Sequence, residues 1–242
     1  MVKFSIFPAG DSAVNVTFDN RVDPQINQFI RTLQRKLESQ KTDGITALVP
    51  AFRTLTVFYN PELLSFNELT TMVQAIATQV KQVDDRSKKI IHIPVCYESS
   101  FGPDMGHIVE HSNLSIQEVI ELHTKTDYLI YMLGFLPGFV YLGGLDGRLA
   151  TPRLATPRLS INPGAVGIAG EQTGVYPIAS PGGWQIIGQT PLNLFQPQNE
   201  NPFYYQTGDY IHFDPITASE FDQISRLVDE DRYQVKVEEG TK

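Results

Sequence analysis

Two arginines occupy the same position in a repeated pentapeptide, and this spacing predicts an anion-binding loop. Residues 150–159 read ATPRLATPRL, so Arg153 and Arg158 are five residues apart and each follows a proline. Proline restricts the backbone to extended or turn conformations, and a guanidinium can donate two parallel hydrogen bonds to a carboxylate or phosphate. We expect both arginines to bind substrate. Ion pairs with the chain's own excess of acidic residues are an equally weighted alternative.

A histidine and an aspartate are the candidates for proton transfer. A predicted helix carries Ile116, Val119 and His123 on one face, so the imidazole should point inward, toward the glycine-rich segments. An imidazole titrates near neutral pH and can serve as acid or base. Asp104, in the motif FGPD, supplies a carboxylate. We predict catalytic roles for His123 and Asp104, and a hydrogen-bonded core histidine is the alternative for His123.

A third group of candidate binding residues lies in a glycine-rich segment. The segment 167–177, GIAGEQTGVYP, is typical of a hairpin end bracketed by glycines. Gln172, Thr173 and Tyr176 are its candidates for binding a small polar substrate. The same side chains could instead satisfy the backbone of the turn.

No metal site is predicted. His107, Glu110 and His111 match a zinc-binding H-x-x-E-H pattern, which needs a helix to place both imidazoles one turn apart. The segment is instead predicted to be a short exposed turn, and no convincing further ligand follows on an adjacent helix. The single cysteine, Cys96, lies in the apolar run IIHIPVCY and is expected to be a buried, inert thiol.

The segment that must position these groups is rich in glycine and proline. Residues 134–188 contain 12 of the 18 glycines and 6 of the 16 prolines. Glycine permits positive φ and close backbone approach, and proline fixes φ, so such density predicts short strands and tight loops around a concave surface. Aromatic side chains are interspersed, as pocket walls or as anchors for a partner protein; they are Phe135, Phe139, Tyr141 and Trp184.

Two domains are expected. Residues 1–85 alternate strand and helix patterns in the order ββαββα, with helices starting at Asp23-Pro24 and at the capping box Ser65-x-x-Glu68. This order predicts a small α+β sandwich of ferredoxin-like type. The charged stretch 81–89 marks the boundary, and residues 86–242 then show mostly short β patterns separated by turns, which predict a β-barrel.

Composition excludes several classes of function. The net charge of −8 and the lack of clustered lysine and arginine argue against nucleic-acid binding. Residues 128–145 are uncharged, but glycines and a proline interrupt them and aspartates flank them, so no membrane span is predicted. With no signal peptide evident, a cytoplasmic location is expected. Neither a P-loop nor a G-x-S-x-G elbow occurs, so any ATP chemistry needs another kind of site or another polypeptide.

Several motifs together resemble one protein family. They are IPVCYESSFGPD, YMLGFLPGFVYLGGLD, TPRLATPRL and GIAGEQTGVYPIASPGGWQIIGQTPLNLF. They are similar to the KipI/PxpB family, which includes the B-type subunit of 5-oxoprolinase and the first subunit of allophanate hydrolase. The resemblance implies a small N-terminal α/β domain and a C-terminal cyclophilin-like barrel. The chain departs from the family pattern at Ser160 and Gln189, where arginines are common, and at residues 162–165, NPGA in place of PAGS. These differences weaken anion binding by that loop.

The resemblance implies two different functions. In the first, the chain is a non-autonomous subunit of an ATP-dependent 5-oxoprolinase, working with a KipA/PxpC-type subunit and a PxpA-type subunit to open 5-oxo-L-proline to L-glutamate. ATP is then the cofactor of the complex. In the second, the chain is a KipI-like inhibitor that binds a sensor histidine kinase through the aromatic anchors. Prolyl isomerase activity, suggested by the barrel type alone, is the weakest hypothesis.

Overall fold

The computed structural model describes residues 2–80 and 88–240. The chain divides into two compact units, Met1–Arg86 and Ser87–Lys242. Most of the charged stretch predicted as the domain boundary, residues 81–87, lies outside the described residues.

The first unit is an antiparallel sheet with two helices. Its strands have the order β1-β2-β4-β3, and each neighbouring pair is antiparallel. The elements are β1 (Ser5–Pro8), β2 (Ala13–Thr17), α1 (Pro24–Gln40), β3 (Ile45–Pro50), β4 (Thr54–Tyr59) and α2 (Phe66–Thr78). The predicted order ββαββα is confirmed.

Local sequence signals determine where both helices begin. The Asp23 side chain accepts a hydrogen bond from the Gln25 backbone N–H, and Pro24 follows at the first helical position. Ser65 and Glu68 form the predicted capping box of α2. Both helices share one buried apolar cluster with the inward side chains of β2 and β4.

The second unit is a closed mixed sheet with helices. Seven strands follow the order β12-β9-β10-β7-β6-β13-β5 and close through a β12–β5 pairing at the C-terminal end of β5. An eighth strand, β14, pairs with the N-terminal half of β5. The strands are β5 (Lys88–Cys96), β6 (Tyr128–Leu133), β7 (Val140–Gly143), β8 (Arg158–Ile161), β9 (Ala165–Ala169), β10 (Gln172–Val175), β11 (Ser180–Gly182), β12 (Gln185–Gln189), β13 (Tyr210–Ile216) and β14 (Val237–Gly240). The helices are α3 (Met105–Ser112), α4 (Ile116–Thr124) and α5 (Ala218–Asp229).

The uncharged run 128–145 forms the hairpin of β6 and β7. Gly134, Pro137 and Gly138 lie in the connection between the two strands. Within the described residues, no helix has both the length and the apolar character to cross a membrane.

Two apolar clusters lie on opposite faces of the barrel strands. On β7, Val140 and Leu142 belong to the main core, whereas Phe139, just before the strand, belongs to a second, aromatic cluster, against which half-buried Tyr141 packs. This alternation is expected because successive strand residues face opposite sides. The short hairpin of β8 and β11 contributes Ile161 to the second cluster.

Two predictions about the helices are wrong. Residues 107–111, expected to be a turn, lie within α3, because Met105 and Ile108 are buried in the main core and stabilise a helix there. Ile116, expected to face inward with His123, is 54% exposed at the first turn of α4. The buried thiol of Cys96 agrees with expectation. Helices α4 and α5 each begin at a capping box, formed by Ser115 with Glu118 and by Thr217 with Glu220.

The chain therefore consists of an α+β unit followed by a closed mixed β-barrel with helices. The names ferredoxin-like and cyclophilin-like stay predictions.

Candidate functional site

Backbone hydrogen bonds attach the repeated pentapeptide to the barrel. The Leu154 N–H donates to the Gly183 carbonyl oxygen at 2.7 Å, and Gln185 Nε2 donates to the Pro152 carbonyl oxygen at 2.9 Å. Arg153, between these two attachments, is exposed, and its guanidinium carbon lies 5.8 Å from the centre of the Trp184 ring. The loop thus holds one arginine against an aromatic surface, in cation–π range.

The second arginine is paired with Asp104. Arg158 Nη2 donates to Asp104 Oδ1 at 2.6 Å, and the Ile186 backbone N–H donates to Asp104 Oδ2 at 2.7 Å. Asp104 is only 2% exposed. Arg158 Nη1 is buried without a hydrogen-bond partner among the described residues. Because a guanidinium has five N–H donors, this arginine keeps donor capacity beyond its contact with Asp104.

Asp104 occupies the N-cap position of α3 without capping it. Aspartate is among the preferred N-cap residues, yet its side chain makes no cap hydrogen bond here. The carboxylate instead faces Arg158 and β12, and the Asp104 N–H also donates to the Ile186 carbonyl oxygen at 2.9 Å. The Asp104 carboxylate therefore binds Arg158 and the β12 backbone instead of capping its own helix, which indicates a polar site at this point.

His107 joins this site, although the sequence interpretation placed it in a turn. Its Nδ1 lies 3.0 Å from Gln185 Oε1 and 3.8 Å from Asp104 Oδ1, and its side chain is 57% exposed. The i, i+3 spacing of Asp104 and His107 on one helix was the signal that could have identified it. An exposed imidazole beside a buried carboxylate can exchange a proton with a bound molecule.

An aromatic cluster forms the floor next to the arginines. Phe139 contacts Tyr141, Tyr176 and Trp184, with ring centres 4.9, 5.0 and 5.4 Å away. Burial raises the pKa of Tyr176 to about 12, while the backbone N–H of Trp184 and the Arg153 charge oppose that rise. Gly182 is required beside it because an added Cβ would collide with the Tyr176 hydroxyl.

His123 does not contact these residues and is fully buried in the main core. Its Nδ1 is 2.8 Å from the Tyr97 hydroxyl, and its Nε2 is 2.8 Å from Thr173 Oγ1. Thr173 Oγ1 donates its proton to the Gly167 carbonyl, so it must accept from His123 Nε2–H, and Nδ1 then accepts from Tyr97. Burial lowers the pKa of His123 to about 3. The imidazole is therefore neutral and fully hydrogen-bonded, and it has no exposed surface.

The predicted substrate group at 172–176 divides between the two faces of β10. Thr173 is fully buried against His123 and is not brought to the arginines. Gln172 and Tyr176 alternate with it and lie on the side of the aromatic cluster. Of the three, Tyr176 is the one that interacts electrostatically with both Arg153 and Arg158.

The four predicted partner anchors differ in exposure. Phe139 and Trp184 are buried at 1% and 4% exposure, so they support the aromatic floor instead of presenting a surface. Tyr141 is half-buried, and Phe135 is 63% exposed in a left-handed conformation with φ +68°. Leu159, next to Arg158, is 93% exposed and was missed, since nothing in its sequence context distinguishes a core leucine from an exposed one.

A separate groove of about 770 Å³ lies near the start of α3, α4 and α5. Its lining includes Tyr97, Met105, Ile116, Ile120 and Thr217, and none of the predicted site residues.

The arrangement as a whole defines a class of site. Two arginines, a buried aspartate, an exposed histidine and an aromatic floor can hold a small molecule that carries a carboxylate or a phosphoryl group. Arg158 lies on β8, Asp104 and His107 lie at the start of α3, and Arg153 lies on the loop before β8. Placement on strands and helices gives such contacts a rigid support.

Comparisons with known proteins place this chain in a family. The model of the carboxyltransferase domain, subdomain C and D, matches residues 4–205. The chain belongs to this family, which includes the B-type subunit of 5-oxoprolinase. That subunit from Bacillus subtilis (strain 168) is 40% identical over 230 residues, covering 91% of this chain and 96% of the relative.

Solved structures support the same fold. The protein TTHA0988 is 32% identical with a TM-score of 0.75, over 85% of this chain and 40% of that longer chain. Urea carboxylase of Kluyveromyces lactis superimposes with a TM-score of 0.83 at 21% identity, over 99% of this chain and 24% of that chain. The chain thus corresponds to a part of these two longer polypeptides, and to nearly the whole of the bacterial relative.

Proposed function

We propose that this chain is the B-type subunit of an ATP-dependent 5-oxoprolinase and opens 5-oxo-L-proline to L-glutamate together with partner subunits. The observation that carries the proposal is the 40% identity to the Bacillus subtilis relative across 96% of its length. A KipA/PxpC-type subunit and a PxpA-type subunit are the proposed partners. ATP is bound within the complex, since this sequence lacks a P-loop.

Opening a lactam at neutral pH requires activation of its amide. In the proposed sequence of steps, the lactam oxygen takes the terminal phosphoryl group of ATP, and water adds to the carbonyl carbon. The ring C–N bond then breaks as the nitrogen accepts a proton, which leaves an acyl phosphate, and a second water hydrolyses it to the new carboxylate and inorganic phosphate. Negative charge develops on oxygen atoms in these steps, so hydrogen-bond donors that the protein holds in place would stabilise the transition states.

The arginines have the chemistry to hold this charge. Arg158 keeps a buried Nη1 without a hydrogen-bond partner among the described residues, and Arg153 is exposed above Trp184. We assign both to the substrate carboxylate or to the phosphoryl oxygens. Tyr176 and Gln172 border the same face, and Asp104 positions Arg158 through their ion pair.

We assign proton transfer to His107 in place of His123. His107 is exposed beside Asp104, whereas His123 has both nitrogens occupied in the core. A group that exchanges protons with a substrate must reach it within hydrogen-bond distance.

The partner subunit is proposed to cover exposed apolar residues next to the site. Phe135 adjoins the aromatic cluster through Phe139, with ring centres 5.7 Å apart, and Leu159 follows Arg158 in β8. Large apolar side chains at such exposure are typical of protein interfaces.

Reconstitution with both partner subunits tests the proposal. Glutamate release from 5-oxoproline should require ATP and all three polypeptides. Arg158→Gln, Arg153→Gln and His107→Gln should each lower kcat/KM about ten- to a hundredfold, the effect of losing one charge-assisted contact. Arg148→Gln is the matched control, because Arg148 is an exposed arginine of the same unit paired with Asp146.

Full activity without this chain would refute the proposal. Equal activity of the three site variants and the control would refute only the site assignment. Inhibition of the autophosphorylation of a sensor histidine kinase, with no lactam opening, would favour the KipI-like alternative.

A further inference from the structure

A second cluster of ligating side chains lies on the outside of the barrel, where β5, β13 and β14 meet. His92, His212 and Asp214 each offer one ligand atom, and these atoms all lie within 4.8 Å of one another. The parallel pairing of β5 and β13 places His92 directly beside His212. Their neighbours Ile91, Ile93, Ile211 and Phe213 are fully buried, so strand alternation turns both imidazoles outward.

We propose that His92, His212 and Asp214 bind a divalent transition metal ion, with zinc as the preferred ion. Imidazole nitrogen and carboxylate oxygen are ligands that zinc prefers, and three protein ligands leave one position for water.

The distances fit such a centre. His92 Nδ1 lies 3.2 Å from Asp214 Oδ1, and His212 Nε2 lies 3.7 Å from the same oxygen. Two ligand atoms of a tetrahedral zinc ion are about 3.3 Å apart when each bond is about 2.0–2.1 Å long. The observed separations bracket that value.

The outer contacts of both histidines match those of metal ligands. His212 Nδ1 lies 2.8 Å from Asp127 Oδ1, and a proton there leaves the lone pair of Nε2 directed toward Asp214. Zinc-bound histidines usually donate their other N–H to a carboxylate in this way. Lys88 Nζ holds the second oxygen of Asp127 at 2.7 Å.

The other ring nitrogen of His92 also lies near a carboxylate. Its Nε2 is 3.2 Å from Glu238 Oε1, and Lys236 Nζ lies 2.7 Å from that same oxygen. His92 is only 9% exposed, and its Nε2 makes no hydrogen bond among the described residues. A metal bond at Nδ1 would place the ring proton on Nε2, on the side of Glu238.

The exposed side of the cluster would allow an ion to enter from solvent. The side chains of His212 and Asp214 are 25% and 42% exposed, so the cluster is buried on the His92 side and open to solvent on the other. Glu238 belongs to β14, so the ion would also link this last strand to the barrel.

Metal titration of the untagged, full-length protein tests the inference. After treatment with a chelator, calorimetry with zinc chloride should show one ion per chain, and cobalt(II) should give the visible absorption of a bound tetrahedral ion. His212→Gln and Asp214→Asn should each weaken binding at least about tenfold, as should Asp127→Ala, which removes the outer contact of His212. Asp214 is exposed, so Asp214→Asn keeps the test valid if His212→Gln fails to fold.

The double variant His107→Gln/His111→Gln is the matched control, because those histidines are one turn apart on α3, outside the cluster. It should bind zinc like the parent protein, and zinc should raise its Tm equally. The inference is overturned if the parent protein binds no stoichiometric zinc, or if the control loses binding while His212→Gln and Asp214→Asn retain it.

Discussion

Asp104 and His123 are both almost fully buried, but they have different kinds of hydrogen-bond partners. Asp104 faces a guanidinium and a backbone N–H, which stabilise a carboxylate. His123 faces two hydroxyl groups and the stacked ring of Phe213 at 4.7 Å, none of which compensates a positive charge. Asp104 is thereby tied to the arginine site, whereas His123 is held neutral inside the core.

The neutral state of His123 makes the second unit sensitive to acid. Its pKa is about 3 in the folded chain and 6.5 when exposed, so the unfolded chain binds more protons between those values. Stability from this residue is therefore complete above pH 6.5 and falls as the pH decreases toward 3. At pH 5 the expected loss is about 2 kcal/mol.

Urea unfolding at pH 7.5 and pH 5 measures this effect. The single tryptophan, Trp184, is buried in the second unit and reports its unfolding by fluorescence. The stability difference between the parent protein and His123→Gln should shrink by about 2 kcal/mol on acidification. A difference that stays constant with pH would show that His123 is protonated or accessible in the folded state.

At the scale of elements, the site depends on how closely the loop before α3 approaches β12. Gly102 lies against the backbone of Ile187, and an added Cβ would collide with the Ile187 carbonyl oxygen. This approach brings Asp104 to the Ile186 N–H and to Arg158. The absence of a side chain at Gly102 is therefore what allows the ion pair to form.

Substitution of two neighbouring glycines separates this steric effect from a general effect of alanine. Gly102→Ala should destabilise the second unit by about 1–3 kcal/mol, because overpacking displaces the loop. Gly106→Ala, inside α3 with nothing within 4 Å of its added Cβ, should keep or raise stability by up to about 1 kcal/mol. Urea midpoints from Trp184 fluorescence measure both. Equal midpoints for the two variants would contradict the proposed close contact.

The sequence predicted these elements better than it predicted their contacts. Capping boxes at Ser65 and Ser115 act within four residues, so helix starts could be predicted locally. The 2.6 Å contact between Arg158 and Asp104, and the pairing of His92 with His212, depend on distant strands meeting in the barrel. Periodicity does not encode such pairings. It also placed His123 inward correctly but gave no sign that both ring nitrogens have partners there.

At the scale of the whole molecule, each unit has its own buried apolar cluster. Val16, Leu33 and Val73 belong to the cluster of the first unit, and Ile93, Tyr128 and Phe213 belong to the main cluster of the second. A domain with its own core can fold without its neighbour. The polar and apolar interactions described for the site all lie within the second unit.

We therefore expect the two units to fold and unfold independently. Fragments 1–86 and 87–242 should each give a cooperative urea transition, and their far-ultraviolet circular dichroism spectra should sum to that of the intact chain. In the intact chain, Trp184 fluorescence should follow only the second unit, whereas circular dichroism also detects α1 and α2 of the first. The two probes should then give different transitions unless the units have the same stability, and the separate fragments distinguish that case. A fragment that stays unfolded alone would show that its core depends on the other unit.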